Sequence, residues 1–174
     1  MLDESDEQVP LATGGRPATH AIIPVGCGSI AQAVTQHYKS GERETRGTPR
    51  ATVIAVEPTT AACLQASLEC GKAVQVKTAN SIMCGMNCGT LSTTAWPTLS
   101  AGVDASVAVG ELDSHKAVQE LHRLGVNAGP CGAATLAALR SICATEREKL
   151  GLNETSVVVL NCTEGAREYD VPSY

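Results

Sequence analysis

The sequence predicts an α/β fold of three layers, in which a mostly parallel sheet carries helices on both faces. Short apolar runs, such as residues 21–25 and 52–56, alternate along the chain with longer segments whose apolar residues repeat at helical spacing. These runs are continuous and rich in Val and Ile, which is typical of strands covered on both faces. The chain contains no Phe and one Trp, so small side chains must fill the core. Such side chains allow close contact between helices and a sheet.

The first half of the chain begins with a strand at residues 21–25, a glycine turn at 26–29 and an amphipathic helix from near Ile30. The next segment, residues 40–50, is charged and contains Gly and Pro, so it is predicted to be an exposed loop. A second strand follows at residues 52–56. Together these elements make one strand–helix–strand unit of a parallel sheet.

A helix is predicted after the second strand. Thr59 or Thr60 can cap its start, and Leu64 and Leu68 lie on one face of it. Gly71 is typical of a helix end, because glycine adopts the left-handed conformation of a C-cap without a steric penalty.

Three further strands are predicted from short apolar runs at residues 73–76, 105–110 and 156–160. The second of these is expected to be buried. Between the first two lies a polar segment, residues 78–97, that is dense in Gly, Asn, Ser and Thr. A loop of this length inside a single domain is usually functional.

Two helices are predicted before the last strand. Asp113 or Ser114 can cap the first, and the second runs from about Gly132 to Lys149 and stops at Gly151.

Polar segments follow the predicted strands at the edge of the sheet where ligands gather in parallel folds. They are residues 26–29, 56–58 and 161–165. Glycines let backbone N–H groups approach an anion closely, and the start of a helix adds further N–H groups and the positive end of its dipole. The sequence therefore predicts a phosphate site at residues 26–29.

Spacing alone leaves the kind of phosphate ligand open. Gly26, Gly28 and Ala31 fit the G-x-G-x-x-A pattern of a dinucleotide-binding fold. Glu57 ends the next strand, where an acid that binds a ribose belongs, although it could equally cap the following helix. An NAD(P)-binding module is therefore one hypothesis, and a simpler phosphate cofactor is the other.

The composition excludes several classes of protein. A net charge of −5 with no cluster of Lys and Arg argues against binding of nucleic acid or an anionic membrane. No apolar run approaches the roughly 20 residues of a membrane span, and the acidic start is not a secretory signal, so we expect a cytoplasmic protein. The eight cysteines contain no CxxC pair. Most are expected to be reduced and buried, and no metal site is predicted.

Five sequence blocks occur in the order known from one enzyme family: PVGCGSIAQAV, AVEPTTAACLQASLECGKAV, SIMCGMNCGTLSTTAWPTLSAGVDA, GPCGAATLAAL and VVLNCTEGA. The third block is the most specific. With these blocks the chain resembles the C-terminal half of the diaminopropionate ammonia-lyases, within the tryptophan-synthase-β-like (fold type II) pyridoxal-phosphate enzymes. The resemblance implies a partial domain of that fold, pyridoxal phosphate as cofactor and a small amino acid as substrate.

The resemblance also implies roles for individual residues. Those that it places on the cofactor phosphate are Gly26, Cys27, Gly28 and Ser29. Those that it places around the rest of the cofactor are Gly85, Met86 and Asn87 along its side, Cys162 beside the pyridine nitrogen, and Thr163 and Glu164 behind the pyridine end. A neutral partner such as a thiol leaves that nitrogen unprotonated, which suits β-elimination. One departure is AGPCGAA, where Pro130 and Cys131 replace a block that carries an acid in the family.

The family's catalytic lysine, which holds the cofactor as a Schiff base and moves the α-proton, lies upstream of every matched block. The lysines of this chain are Lys39, Lys72, Lys77, Lys116 and Lys149. They are expected to be solvated side chains on helix ends, turns and charged faces. We therefore assign no catalytic residue, and we expect weak or no cofactor binding and no lyase turnover by this chain alone.

The same comparison predicts the organisation of the chain. Residues 1–19 resemble an internal helix and linker of the family, and residues 20–174 an incomplete pyridoxal-phosphate domain without its N-terminal half. Met1 is thus expected to be an internal methionine of a longer ancestor, and the full-length relative a homodimer. The alternatives are a dinucleotide-binding module and a non-catalytic half-domain that completes its sheet with a second chain.

Overall fold

Strands and helices alternate along the chain in a computed structural model that describes residues 1–45 and 47–173. The strands of this part are β1 (His20–Pro24), β2 (Thr52–Pro58), β3 (Ala105–Val109) and β4 (Val158–Leu160). The helices are α1 (Leu2–Thr13), α2 (Ser29–Lys39), α3 (Gly41–Thr45), α4 (Cys63–Cys70), α5 (Trp96–Gly102), α6 (Glu111–Arg123) and α7 (Pro130–Thr145), with a 3₁₀ turn at Cys84–Met86.

The four strands form one sheet in the order β3-β2-β1-β4, and each neighbouring pair is parallel. His20 of β1 lies opposite Thr52 of β2 on one side and opposite Val158 of β4 on the other. Every residue of β1 and all but the first of β2 are buried. Their continuous apolar sequence therefore reflects two covered faces, as predicted.

Helices cover both faces of the sheet. Because successive strand residues point to opposite faces, Ile22 joins a core with α6 and α7, whereas Ile23 joins a core with α2, α4 and α5. Tyr38 is the largest fully buried side chain, and the rest of the two cores consists mainly of Ala, Val, Ile and Leu. The predicted three-layer α/β class is confirmed.

Three of the predicted strands differ from the structure. β3 lies at the edge of the sheet, and four of its five residues are only half-buried because it pairs with β2 alone. Residues 73–76 form no strand, and Val76 instead donates its N–H to the carbonyl of Gly89 (2.9 Å). The last strand is shorter than predicted and spans three residues. Runs this short do not distinguish a strand from an extended loop.

The charged segment at residues 40–50 is not only an exposed loop, as predicted, because it contains α3. Arg43 of this helix is 3% exposed and donates to the carboxylate of Asp6 in α1. Its guanidinium carbon lies 4.6 Å from the centre of the Tyr38 ring. The partner carboxylate lies 37 residues earlier in the chain, so the local composition could not reveal this burial.

The predicted threonine cap of α4 and the predicted cap of α6 are wrong, whereas the alternative that Glu57 caps the helix after β2 is confirmed. No threonine caps α4; the carboxylate of Glu57 accepts hydrogen bonds from the N–H groups of Leu64 (2.7 Å) and Gln65 (2.8 Å). α6 begins at Glu111 with Gly110 as its N-cap, so Asp113 and Ser114 lie inside it. A serine, threonine or aspartate near a helix start is thus a weaker signal than a buried carboxylate that reaches the same N–H groups from a strand.

The predicted helix ends agree better with the structure. Gly71 is the left-handed C-cap of α4, with φ 67°. α7 begins at Pro130, slightly before the predicted start, and ends at Thr145 rather than Lys149. Across residues 1–45 and 47–173, no helix is both long and apolar enough to cross a membrane.

Substituting Gly102 tests the close contact between α5 and α2. A Cβ at this position would lie 2.4 Å from Cγ2 of the buried Thr35. We expect Gly102→Ala to lower the free energy of unfolding by about 1–3 kcal/mol, as overpacked sites do, in urea titrations. Gly41→Ala is the control, because no atom lies within 4 Å of its added Cβ, and it should leave stability unchanged or raise it. Equal stability of the two variants would contradict the packing described.

Candidate cofactor-binding site

A cavity of about 350 Å³ opens at the carboxyl ends of β1 and β4. Its lining comes from the loop after β1 with the start of α2, the 3₁₀ turn, the first turn of α7 and the loop after β4. Eight of the ten residues that the resemblance places around the cofactor line it: Gly26, Cys27, Gly28, Ser29, Gly85, Met86, Thr163 and Glu164. The predicted convergence of the segments after the first and last strands is therefore present in the structure.

The glycine loop (residues 26–29) requires glycine at two positions. A Cβ on Gly26 would lie 2.9 Å from the carbonyl oxygen of Gly85. Gly28 has φ 97°, a conformation that side-chain-bearing residues rarely adopt. A Cβ there would also lie 3.0 Å from Leu99 of α5. These contacts hold the loop backbone against its neighbours and leave its other side open to the cavity.

The start of α2 adds hydrogen-bond donors to this wall. α2 begins at Ser29 directly after the loop, and its N-cap Gly28 provides no side-chain acceptor. The first N–H groups of a helix have no partner within the helix and carry the positive end of its dipole. The wall therefore offers backbone N–H groups, and the Ser29 hydroxyl beside the Cys27 thiol (3.4 Å), to an anion.

A second wall lies where the 3₁₀ turn, α7 and the loop after β4 meet. Its residues are Gly85, Met86, Cys131, Thr163 and Glu164. The Glu164 carboxylate accepts hydrogen bonds from the N–H of Cys131 (2.7 Å) and from Nε of Arg167 (2.7 Å). Arg167 also donates to the carbonyl of Ile82 just before the 3₁₀ turn. Glu164 thus connects three segments of this wall.

Asn87 and Cys162, the other two predicted site residues, do not line the cavity. Asn87 follows Met86 and donates from Nδ2 to the carbonyl of Ala79 (2.9 Å), while its Oδ1 is buried without a partner among the described residues. Cys162 precedes Thr163, and its Sγ lies 3.6 Å from the carbonyl oxygen of Glu164. Both residues are therefore sequence neighbours of the second wall and not part of the cavity lining.

Some lining residues had no predicted role. They are Pro24, Ile30 and Cys131. The sequence singles out Cys131 only as a departure from the family pattern. Cys131 could have been found from its position in AGPCGAA. A glycine and a proline there mark the start of a helix, and helix starts are frequent ligand sites.

Glu57 is not available to a ligand. It is completely buried, it does not line the cavity, and both of its carboxylate oxygens accept N–H groups of α4. Burial raises the pKa of this carboxyl, although the hydrogen bonds from Leu64 and Gln65 oppose the shift. Glu57 therefore does not serve as a ribose-binding acid. The dinucleotide hypothesis then rests on the glycine pattern alone.

The cysteines are less buried than predicted. All eight are free; Cys63 and Cys131 are buried, Cys88 is half-buried, and the exposed ones are Cys27, Cys70, Cys84, Cys143 and Cys162. Several of the exposed ones lie in loops and at helix ends, where tertiary packing rather than side-chain type decides burial. Within residues 1–45 and 47–173, no three His, Cys, Asp or Glu side chains group as metal ligands.

The parallel sheet, the glycine loop and the adjoining helix start define a phosphate-binding α/β protein. The family model described as pyridoxal-phosphate dependent enzyme matches residues 4–164. The chain belongs to this family, which confirms the predicted relationship, and pyridoxal phosphate is the cofactor of the family. Comparison with curated proteins gives no match.

Several solved structures resemble the chain. The diaminopropionate ammonia lyase from Escherichia coli in complex with D-serine has 25% identity and a TM-score of 0.77, over 94% of this chain and 42% of that chain. The T.th. threonine deaminase has 24% identity and a TM-score of 0.74, over 92% and 53%. Maize serine racemase has 19% identity and a TM-score of 0.75, over 94% and 48%. The threonine deaminase and the serine racemase, at their lower identities, show the shared fold alone. The chain spans about half the length of each of the three proteins.

The residues present fit the phosphate of pyridoxal phosphate. Backbone N–H groups adjoin the cavity at the glycine loop, and the steric limits at Gly26 and Gly28 keep that backbone uncovered. The one acidic residue in the described cavity lining, Glu164, belongs to the second wall. An anion at the glycine loop therefore meets donors from that loop rather than a carboxylate.

Glu57 makes a testable contribution to the pH dependence of folding. Because the pKa of the folded-state carboxyl lies above its ordinary value of 4.5, the folded protein holds this proton more tightly than the unfolded chain does. Stability from this group is complete below the ordinary pKa and is lost as the pH rises through the folded-state pKa. We expect Glu57→Gln to remove that loss, so that the stability of the variant rises relative to wild type as the pH increases from about 4 to 7 in urea titrations. A constant difference across this range would contradict the burial effect.

Thiol reactivity should separate the cysteines of the site. Hydrogen bonds from the hydroxyl and the backbone N–H of Ser29 lower the pKa of the exposed Cys27 thiol. Burial and the nearby Glu57 raise the pKa of Cys63 to about 12, and burial and Glu164 raise the pKa of Cys131 to about 11. Since the thiolate is the reactive form, iodoacetamide at about pH 7 should label Cys27 long before the two buried thiols, as followed by peptide mass spectrometry.

The control for this labelling is Ser29→Ala, which removes the hydroxyl that lowers the pKa of Cys27. This variant should slow the labelling of Cys27 and leave that of the exposed Cys70 unchanged. Labelling of Cys131 before Cys27 would contradict the site described.

Proposed function

We propose that this chain forms the phosphate- and ring-holding part of a pyridoxal-phosphate-dependent ammonia-lyase. The complete enzyme would convert 2,3-diaminopropionate and water into pyruvate and two ammonia molecules, or would carry out the corresponding β-elimination on a related amino acid. The main support is one observation: the glycine loop with the start of α2 and the loop after β4 line a single cavity. Family membership gives the cofactor that fits there.

The phosphate is assigned to Gly26, Cys27, Gly28 and Ser29. Their backbone N–H groups and the Ser29 hydroxyl would bind and orient it, because the loop is fixed in place by its contacts with Gly85 and α5. The dipole of α2 adds a favourable charge interaction at the same point.

The ring is assigned to Gly85, Asn87, Cys162 and Thr163. Gly85 and Thr163 line the cavity directly, while Asn87 and Cys162 adjoin the lining residues Met86 and Thr163 in the chain. Met86, which is 3% exposed and lines the same wall, would exclude water from the ring.

Bound pyridoxal phosphate supplies the electron sink for elimination at the β-carbon of an amino acid. The residues of this chain bind and orient the cofactor, but no lysine lines the cavity in the part of the chain that the structure describes. Lys39 pairs with Asp104, and Lys149 pairs with Glu146. We therefore propose that the lysine that moves the substrate proton comes from outside these 174 residues.

The choice of 2,3-diaminopropionate is supported by the third sequence block and by the likeness to the E. coli lyase at 25% identity. Residues 20–174 would be the cofactor-binding unit and residues 1–19 the segment leading into it. A cytoplasmic location and a homodimeric complete enzyme belong to the same proposal.

Ligand binding tests the phosphate assignment. We expect the chain to bind inorganic phosphate and pyridoxal phosphate only weakly in calorimetry, and Ser29→Ala to weaken both by about a further 3- to 10-fold, as the loss of one hydrogen bond does. Ser40→Ala is the matched control, because Ser40 lies at the other end of α2 and bonds the carbonyl of His37 (2.9 Å). It should bind both ligands as wild type does.

Two outcomes would contradict the assignment. Binding of NAD without any response to phosphate or pyridoxal phosphate would favour the dinucleotide hypothesis. Release of pyruvate from 2,3-diaminopropionate by the 174-residue chain with pyridoxal phosphate, above a protein-free control, would contradict the proposed external lysine.

A further inference from the structure

The 3₁₀ turn on the second wall is reached through a segment that belongs to no helix or strand. Ser81 and Ile82 lead into the turn, and most residues of the preceding stretch, residues 71–80, are exposed. Backbone groups outside helices and strands must find their hydrogen-bond partners on other segments. Contacts with other elements therefore decide where the turn places Gly85 and Met86 on the cavity wall.

Glu111, the first residue of α6, holds this segment with both of its carboxylate oxygens. Oε1 accepts the hydroxyl of Ser81 (2.6 Å), and Oε2 accepts the N–H of Ile82 (2.6 Å). The Ser81 oxygen in turn accepts the N–H of Met83 (2.9 Å), the residue directly before the 3₁₀ turn. Hydrogen bonds to an ionised acceptor are short and strong, so the chain enters the turn from a fixed point.

The same part of α6 also holds the start of α7. Ser114 lies three residues after Glu111 and is completely buried, and its hydroxyl donates to the carbonyl of Pro130 (2.8 Å). Pro130 is the first residue of α7 and precedes Cys131, which lines the second wall. Residues three apart in a helix lie on one face. One face of α6 thus reaches two of the segments that form this wall.

α6 itself stays outside the cavity, since none of its residues, 111–123, belongs to the lining. The turn and α7 meet in front of it: the Sγ of Cys131 lies 3.3 Å from the point that a Cβ on Gly85 would occupy. The glycine loop has separate support, because the carbonyl of Cys27 accepts the N–H of Ser92 (2.8 Å). A displaced turn would therefore change the second wall more than the phosphate wall.

We infer that Glu111 is a positioning residue for ring-bearing ligands of this site. Through Ser81 and Ile82 it sets where Gly85 and Met86 stand opposite the glycine loop. This inference rests on the proposed function and deepens it. Because Glu111 does not line the cavity, its loss should reduce selectivity for a phosphorylated ring over bare phosphate and spare the binding of phosphate itself.

Two ligands separate the ring from the phosphate. Inorganic phosphate needs only the glycine loop, whereas 4-deoxypyridoxine 5′-phosphate adds the pyridine ring and has no aldehyde to attach to a lysine. Phosphorus NMR titrations of the whole chain give both affinities, and their ratio measures the contribution of the ring. We expect Glu111→Met to lower this ratio by about 3- to 10-fold, as the loss of one well-placed contact does, with phosphate affinity as in wild type.

Thiol labelling reports the position of the turn without any ligand. Cys131 is 4% exposed and lies against Gly85, whereas Cys63 is completely buried in the core on the other face of the sheet. A displaced turn should expose Cys131 alone, and a general loosening of the fold should expose both thiols. We therefore expect iodoacetamide to label Cys131 faster relative to Cys63 in Glu111→Met than in wild type.

Two further variants complete the design. Asp113→Met removes an exposed acid from the same turn of α6, so it controls for the lost interaction with the helix dipole. It should behave as wild type in both measurements. Glu111→Gln keeps an oxygen that can accept the N–H of Ile82, and it should lie between wild type and Glu111→Met.

The outcomes are distinct. A lower affinity ratio together with selective exposure of Cys131 in Glu111→Met, and neither change in Asp113→Met, supports the inference. An unchanged ratio, an equal loss of affinity for both ligands, or equal exposure of Cys131 and Cys63 overturns it and leaves the proposed function standing. If wild type binds neither ligand, the proposed function fails and the inference fails with it.

Discussion

The close backbone contact between Gly26, just after β1, and Gly85 is the constraint that shapes the site. Gly26 lies against the carbonyl of Gly85, and Gly28 turns with a positive φ against Leu99 and α5. Without side chains at these positions, the chain can leave the central strand and enter α2 within a few residues. This brings an uncapped helix start, the 3₁₀ turn and the loop after β4 to one cavity. Larger residues there would force apart the walls that a ligand must contact.

Carboxylates from other segments accept backbone N–H groups that have no partner within their own helix or loop. Glu57 satisfies the first N–H groups of α4 from a strand, Glu111 accepts the N–H of Ile82, and Glu164 accepts the N–H of Cys131. The first bond connects a strand to a helix, and the other two connect a helix to a polar segment. Buried or half-buried N–H groups without partners are costly, so these carboxylates stabilise the loops as the apolar core stabilises the sheet. Glu164 differs because it also faces the ligand space.

Family membership and the cavity lining together indicate which part of an active site this chain contributes. The chain spans about half the length of the solved enzymes that it resembles. Within this span the structure contains an anion-binding wall and a second wall with a carboxylate, but no lysine on the lining described. The chemistry of elimination needs a proton-moving group, whereas holding a phosphate and a ring does not. The chain is therefore best understood as the part of a site that binds and orients.

Local patterns in the sequence were enough to predict the three-layer class, the two central strands, the glycine loop, the helix end at Gly71 and the family. These patterns are continuous apolar runs, glycine at a left-handed position and motifs in a fixed order. The folded chain alone reveals that Arg43 is buried against Asp6, that Glu57 caps a helix rather than binding a ribose, and that most cysteines are exposed. It also places Glu164 rather than Cys162 on the cavity. The physical reason is that hydrogen-bond and charge partners are set by contacts between distant segments, which no local pattern records.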